Sequence, residues 1–253
     1  MKTVIITGGT GLVGEAVTIH LLKEGYNVVI TSRKPNRNGF ISKNGLEQFK
    51  ENFHAIELDY FNDSSVNDFA KNLETLDIHP EVIIHNARSL STLKIEDNGQ
   101  SSSENFLAEY KMGVVVPYKL NNLILNSSIG SKLNNIIFIS SIYGVVGPTP
   151  SLYDDFDRQS PVQYGVTKAA QIHLTKELAV RLGSKGVRVN AISLGGIKGR
   201  AKDSFVDKYS KLNPQNKMLS VENVITPIEF LINNGSESMT GHNLIVDGGW
   251  TIW

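Results

Sequence analysis

Tyr164 and Lys168 stand four residues apart in Tyr164-Gly165-Val166-Thr167-Lys168, a spacing that puts both on one face of a helix. A phenol, with a free pKa of about 10, exchanges protons poorly at neutral pH, and a nearby ammonium stabilises its ionised form. Such a pair could give a proton to a carbonyl oxygen or take one from an alcohol. Ser141, in Ile139-Ser140-Ser141-Ile142-Tyr143-Gly144, closes an apolar run and could hydrogen-bond the same oxygen. A Tyr and a Lys four apart often arise by chance. The pattern gains weight from a third group, Thr7-Gly8-Gly9-Thr10-Gly11-Leu12-Val13-Gly14, which follows the first apolar run. Its glycines at 8, 11 and 14 suit a tight turn, a close backbone approach to a pyrophosphate and close helix–strand packing. The N–H groups and positive end of the next helix would face the phosphates.

The elements that must position these residues follow from periodicity. Short apolar runs, rich in β-branched residues, recur at Val4–Thr7, Val28–Thr31, His54–Leu58, Val82–His85, Ile136–Ser140, Val187–Ile192 and Leu244–Val246. Between them, Leu12–Glu24, Ser65–Thr75, Glu104–Asn126, Tyr164–Leu182 and Val221–Asn233 have helical spacing. Strands apolar on both faces and alternating with helices predict an α/β fold, a Rossmann-type doubly wound parallel sheet of about seven strands with helices on both faces. With no Pro/Gly-rich linker, residues 1–253 are expected to form one dinucleotide-binding catalytic domain. Arg33–Gly45 is polar and predicts a surface loop. Gly147–Pro161, with three prolines and the cluster Asp154-Asp155-Phe156-Asp157, predicts either a rim of the site or a solvated insertion.

The end of the second strand bears on which dinucleotide would bind. A carboxylate there would favour NAD. Here Val28-Val29-Ile30-Thr31-Ser32-Arg33-Lys34 has none, and its two cations favour NADP over NAD, Arg33 by gripping a 2′-phosphate and Lys34 as a supporting charge. Ordinary loop cations would leave the same trace in the sequence. Further candidate cofactor contacts are Gly8, Thr10, Gly11, Leu12 and Ser32. Asp59 would meet the adenine edge at the end of the third strand, and Asn86 and Ala87 follow the fourth, Asn86 as a brace between loops.

The Gly-rich start, Asn86-Ala87, Ser141, Tyr164 with Lys168, Arg188-Val189-Asn190-Ala191-Ile192-Ser193 and Val246-Asp247-Gly248-Gly249 together resemble the short-chain dehydrogenase/reductase family across essentially the whole chain. That resemblance implies Tyr164 as acid/base, Ser141 as substrate-orienting, and Lys168 as tuning Tyr164 and binding the nicotinamide ribose. It also implies that Ile197 contacts the nicotinamide through its backbone. Departures from the family pattern are specific. An asparagine that in the compact branch holds a proton-relay water falls at Gly113; the usual Pro-Gly is Leu194-Gly195; a common Thr is Gly199; and Arg88 follows Asn86-Ala87 where Gly is usual. The Gly8, Gly11, Gly14 spacing and the 23 positions from Ser141 to Tyr164 are similar to the family's extended branch. Only 85 residues follow Lys168, too few for that branch's second domain, so a compact member with a lengthened loop is expected. Ser140–Gly147 and Leu194–Ile197 are similar to oxidoreductases of flagellin-modification and nonulosonic-acid sugar pathways. That likeness implies a polar, sugar-like or phosphorylated substrate, with Arg88, Lys198 and Arg200 as candidate anion contacts or solvated cations.

Bulk properties narrow the alternatives. Lys+Arg and Asp+Glu are both 25, so nothing calls for nucleic acid or an anionic membrane. The absence of cysteine fits a reducing compartment, and the expectation is cytoplasmic. The six histidines lack metal-ligand spacing, so no metal is expected. Trp250 and Trp253 are expected at a subunit contact, and the family resemblance implies a homodimer or homotetramer built on the helices Glu104–Asn126 and Tyr164–Leu182. Two other functions remain open beside a reductase or dehydrogenase acting on a small-molecule substrate. One is a sugar-modifying epimerase or dehydratase with tightly bound nucleotide. The other is a non-catalytic dinucleotide-binding protein, for which the missing asparagine is the motive.

Overall fold

The computed structural model describes residues 1–199 and 201–253. In chain order the elements are β1 (Thr3–Thr7), α1 (Leu12–Lys23), β2 (Asn27–Ser32), α2 (Arg37–Asn44), β3 (Phe53–Glu57), α3 (Asp63–Thr75), β4 (Val82–His85) and α4 (Ser103–Tyr110). A π-turn, Lys111–Val115, joins α4 to α5 (Val116–Leu125). There follow β5 (Asn135–Ser141), α6 (Phe156–Gln159), α7 (Val162–Leu182), β6 (Arg188–Leu194), α8 (Asp203–Leu212), α9 (Ile225–Ile232) and β7 (Asn243–Val246).

All seven strands are parallel, in the order β3-β2-β1-β4-β5-β6-β7. Alternation along the strands divides the core between two faces. Ile5, Val29, Ile83, Ile136 and Phe138 pack with Phe69 and Leu73 of α3, Leu120 of α5 and Leu178 of α7. Their neighbours Val4, Ile6, Val28, Ile30, Ile84 and Ile137 pack with Val17 and Leu21 of α1 and Ile228 of α9. A strand order that reverses direction at β1 opens a crevice beyond the carboxyl ends of β1 and β4, where folds of this class hold ligands.

Several local expectations need correction. Arg33–Gly45 is not a plain loop, because α2 forms within it. The Asn36 side chain caps its first turn by accepting from Gly39 N at 2.8 Å, and Gly45, at φ 62°, ends it. Only Phe40 and Ile41 are buried there, too few to give a helical period. The Gly147–Pro161 segment holds a 3₁₀ turn at Pro150–Leu152 and the short α6. Helix α8 was not predicted. Its Phe205, Val206 and Tyr209 form a third apolar cluster with Ile142, Leu152 and Trp250. Trp250 therefore packs inside the chain, its ring 4.3 Å from that of Tyr209 at an interplanar angle of 14°, while Trp253 is exposed and donates to Leu212 O. Among the described residues no helix is long and apolar enough to cross a membrane.

Candidate active site

Strand β5 and helix α7 bring the Ser, Tyr and Lys together because they are joined by side-chain-to-backbone bonds. Ser140 Oγ donates to Lys168 O at 3.0 Å, and Lys168 Nζ donates back to Ile139 O at 2.8 Å. Ser141, next along the strand, accepts from Tyr143 N at 3.2 Å and lines the same cleft as Tyr164 and Lys168. Tyr164 lies half-buried in the first turns of α7, with Lys168 Nζ 5.7 Å from its ring centroid. Burial pushes the Lys168 ammonium down to about 8; the carboxylate of Glu109 opposes that shift and Arg88 adds to it. Glu109 is itself buried, accepting a hydrogen bond from Thr92 Oγ1.

Arg88 places its guanidinium carbon 5.0 Å from the Tyr164 ring centroid, a cation–π arrangement. Among the described residues it has no carboxylate within 4.0 Å. The facing wall is aromatic. Tyr143 meets Tyr164 edge-on at 6.4 Å and shares a 2.6 Å hydrogen bond with Tyr153, which packs against Phe205. Burial and the Tyr153 bond push the Tyr143 phenol far up, which keeps it neutral. Tyr209 closes this wall, its hydroxyl accepting from Gly196 N at 2.9 Å. Tyr143, Tyr153, Phe205 and Tyr209 were not singled out from the sequence. The helical spacing of Phe205, Val206 and Tyr209 was a readable signal for the last two.

The cleft, of about 640 Å³, continues from Ser141, Tyr164 and Lys168 to the Gly-rich turn. Gly8, Thr10, Gly11, Leu12, Ser32, Arg33, Asp59, Asn86, Ala87 and Ile197 all line it. Lys34 is exposed and is not among the lining residues, so the expectation of two cations at this point reduces to Arg33. Asn86 acts as the brace its position suggested, with Nδ2 donating to Thr7 O and Gly8 O at 3.1 Å each. Ile197 is held by a bridge to Leu219. The acidic cluster turns to local structure: Asp154 pairs with Lys208 at 2.7 Å, and Asp155 caps α6 by accepting from Arg158 N. Lys198 is exposed and does not line the cleft, and Arg200 lies outside the described residues.

The residues at the nucleotide end fit a dinucleotide. Gly8, at φ 65°, would bring a Cβ within 2.8 Å of Ala87 Cα, so the turn admits only glycine where backbone and ligand must approach. Helix α1 starts at Gly11 with no side-chain cap, leaving its first N–H groups for an anion. Ser32 Oγ is buried without a hydrogen-bond partner, and Arg33 has no carboxylate partner among the described residues.

A doubly wound parallel sheet with a Gly-rich turn after β1 and a strand-end Ser facing a Tyr–Lys pair defines a class of nucleotide-dependent oxidoreductase. A family model described as enoyl-(acyl carrier protein) reductase matches residues 11–251, and the chain belongs to the short-chain dehydrogenase/reductase family. It is similar to the post-translational flagellin modification protein A of Campylobacter coli, 37% identical over 118 residues, a match spanning 47% of this chain and 46% of that protein. Among solved structures, a short chain dehydrogenase of Leptospira borgpetersenii with bound NAD+ superposes with a TM-score of 0.85 at 28% identity, covering 99% of this chain and 93% of the other. ElxO with NADP bound superposes with a TM-score of 0.81 at 28% identity over 98% of each chain. The chain is accordingly an oxidoreductase of this family.

Proposed function

We propose that this chain binds NADP(H), with NAD(H) the weaker alternative, and interconverts a hydroxyl and a keto group on a small polar, sugar-like substrate. The observation that carries the reading is the convergence of Ser141, Tyr164 and Lys168 on a cleft that runs on to Gly8 and Arg33. When bound, the nicotinamide supplies a hydride donor or acceptor. The chain's own residues handle the proton and the orientation. Ser141 Oγ hydrogen-bonds the reacting oxygen, and Tyr164 Oη gives it a proton in reduction or takes one in oxidation. Lys168, held by Ile139 O, presents its charge to Tyr164 and would meet the ribose hydroxyls. Gly8, Gly11 and the first turn of α1 would hold the pyrophosphate, Ser32 and Arg33 the 2′-phosphate, Asp59 the adenine edge, and Asn86, Ala87 and Ile197 the nicotinamide half.

Arg88 supports a substrate with an anionic group near the reacting carbon, since it stands over Tyr164 without a carboxylate of its own among the described residues. The aromatic wall of Tyr143, Tyr153 and Phe205 suits the C–H face of a sugar ring. A homodimer or homotetramer is also proposed. Leu107 and Tyr118 near the π-turn and Val166 and Val180 on α7 are exposed apolar side chains on the helices expected to pair.

The test is Tyr164→Phe, assayed by the absorbance of the reduced nicotinamide on a panel of keto and hydroxy sugars and their phosphates. Turnover is expected to fall by at least about 100-fold, with NADPH affinity retained within about threefold. Near-normal turnover in the variant overturns the assignment of Tyr164.

A further inference from the structure

The inward side of Lys168 is closed by protein. An ammonium has three N–H groups, and here one goes to Ile139 O at 2.8 Å and a second to Gln171 Oε1 at 2.9 Å. Gln171 follows one turn along α7 and is only 3% exposed. Its Nε2 in turn donates to Gly113 O at 2.8 Å. The amide is thus fixed from both ends, because an ammonium demands an acceptor and a carbonyl demands a donor. Among uncharged side chains of this length, only glutamine offers both.

The third member of this chain is a backbone group, and its placement explains the choice. Gly113 lies within the π-turn Lys111–Val115, where the ordinary helical hydrogen-bond pattern is interrupted. A Cβ at 113 would overlap the Thr167 methyl, so any side chain there would force Thr167 or its helix to shift. Helix α7 therefore approaches close enough for Gln171 to reach the Gly113 carbonyl directly. The amide that the sequence lacks at 113 arrives from the opposite helix.

We propose that Gln171 is the positioning residue for Lys168, bridging its ammonium to the Gly113 carbonyl so that one N–H remains for the cleft. This rests on the reading of Lys168 as the group that meets the nicotinamide ribose. With Gln171 in place, the interior side of the ammonium holds an amide oxygen, which accepts a hydrogen bond but passes no proton on. Protons consumed at Tyr164 then enter from the mouth of the cleft. The groups facing Lys168 are Tyr164 and Gln171 on its own helix, Glu109 from α4, Arg88 from the segment after β4, and the Ile139 carbonyl of β5.

The test is the pH dependence of NADPH binding, read by the fluorescence of the reduced nicotinamide, in the wild type, Gln171→Met, Gln171→Glu and Lys168→Met. In the wild type the affinity is expected to weaken as pH rises through about 8, where Lys168 loses its proton, and Lys168→Met should lack that transition. Gln171→Met withdraws the acceptor, and its midpoint should fall by about one pH unit, a tenfold change in the protonation equilibrium. Gln171→Glu keeps an acceptor and adds a negative charge, so its midpoint should rise. A space-filling amide would lower the melting temperature and leave both midpoints where they were. Unmoved midpoints in variants with native circular dichroism overturn the proposal, and if the Met variant fails to fold, the direction of the Glu variant decides it alone. If Lys168→Met keeps the wild-type transition, the reading of Lys168 itself falls and the proposal with it.

Discussion

Arg33 is exposed beside Ser32, whose buried hydroxyl has no partner among the described residues, at the end of the cleft remote from Tyr164. A guanidinium that grips a phosphate forms charge-assisted bonds each worth roughly 1.5–3 kcal/mol. Arg33→Ser should therefore weaken NADPH binding by about 10- to 100-fold and leave NADH binding within about twofold. Fluorescence titrations with both nucleotides measure it, and equal affinity of the wild type for the two would defeat the NADP preference. At this scale the candidate site was legible where its geometry follows from local spacing. Ser141 closes a strand, and Tyr164 and Lys168 share a helix face, so neighbours in the chain reveal them. Gln171 carries no such mark. Its meaning depends on a carbonyl 58 positions away in sequence, and an amide three residues after a lysine is unremarkable in any helix. Lys34 differs in that adjacency to Arg33 does not make it line the cleft.

Among the elements, the π-turn between α4 and α5 bears most directly on the site. Residues 104–126 read as one uninterrupted helix by periodicity, because a single widened turn shifts the apolar face too little to break the pattern. The structure places the interruption at Gly113, against Thr167. Gly113→Asn would restore the residue typical of the compact branch and yet should destabilise the fold by about 1–3 kcal/mol, the usual cost of overpacking. The midpoint of urea unfolding reports it, and a variant as stable as the wild type would show that α7 can retreat freely. Helices α2 and α8 were less legible for a different reason. The first is held by its caps and two side chains, and the second by partners at Leu152 and Trp250 that lie far off in the sequence.

Over the whole molecule, the sheet was legible because each strand is apolar on both faces, and a chain that covers both faces with helices has few ways to wind. What periodicity does not report is the set of polar groups buried within that sheet, of which one titrates in the acid range. His85, at the end of β4, is 3% exposed, stacks on Phe138 at 4.9 Å and meets Asn121 Oδ1 at 2.8 Å. Burial lowers its imidazole from 6.5 to about 4. Between those two values the unfolded chain binds the proton and the folded one does not, so this contribution to stability is complete above 6.5 and is lost as pH falls through 4. The difference corresponds to about 3 kcal/mol. Melting temperatures should drop more steeply over that interval in the wild type than in His85→Gln, which retains a donor for Asn121. Parallel curves for the two proteins would show that His85 is not the acid-sensitive group.

The stacking of Trp250 on Tyr209 has an optical consequence. The chain has only two tryptophans, and Trp253 is solvent-exposed while Trp250 is buried against the wall of the cleft. Replacing Trp253 with phenylalanine would leave a single indole emitter joined through Tyr209 to the Gly196 backbone. Its emission, and its energy transfer to a reduced nicotinamide, would then follow nucleotide and substrate arriving in the cleft in real time, with no dye attached and no chemistry required.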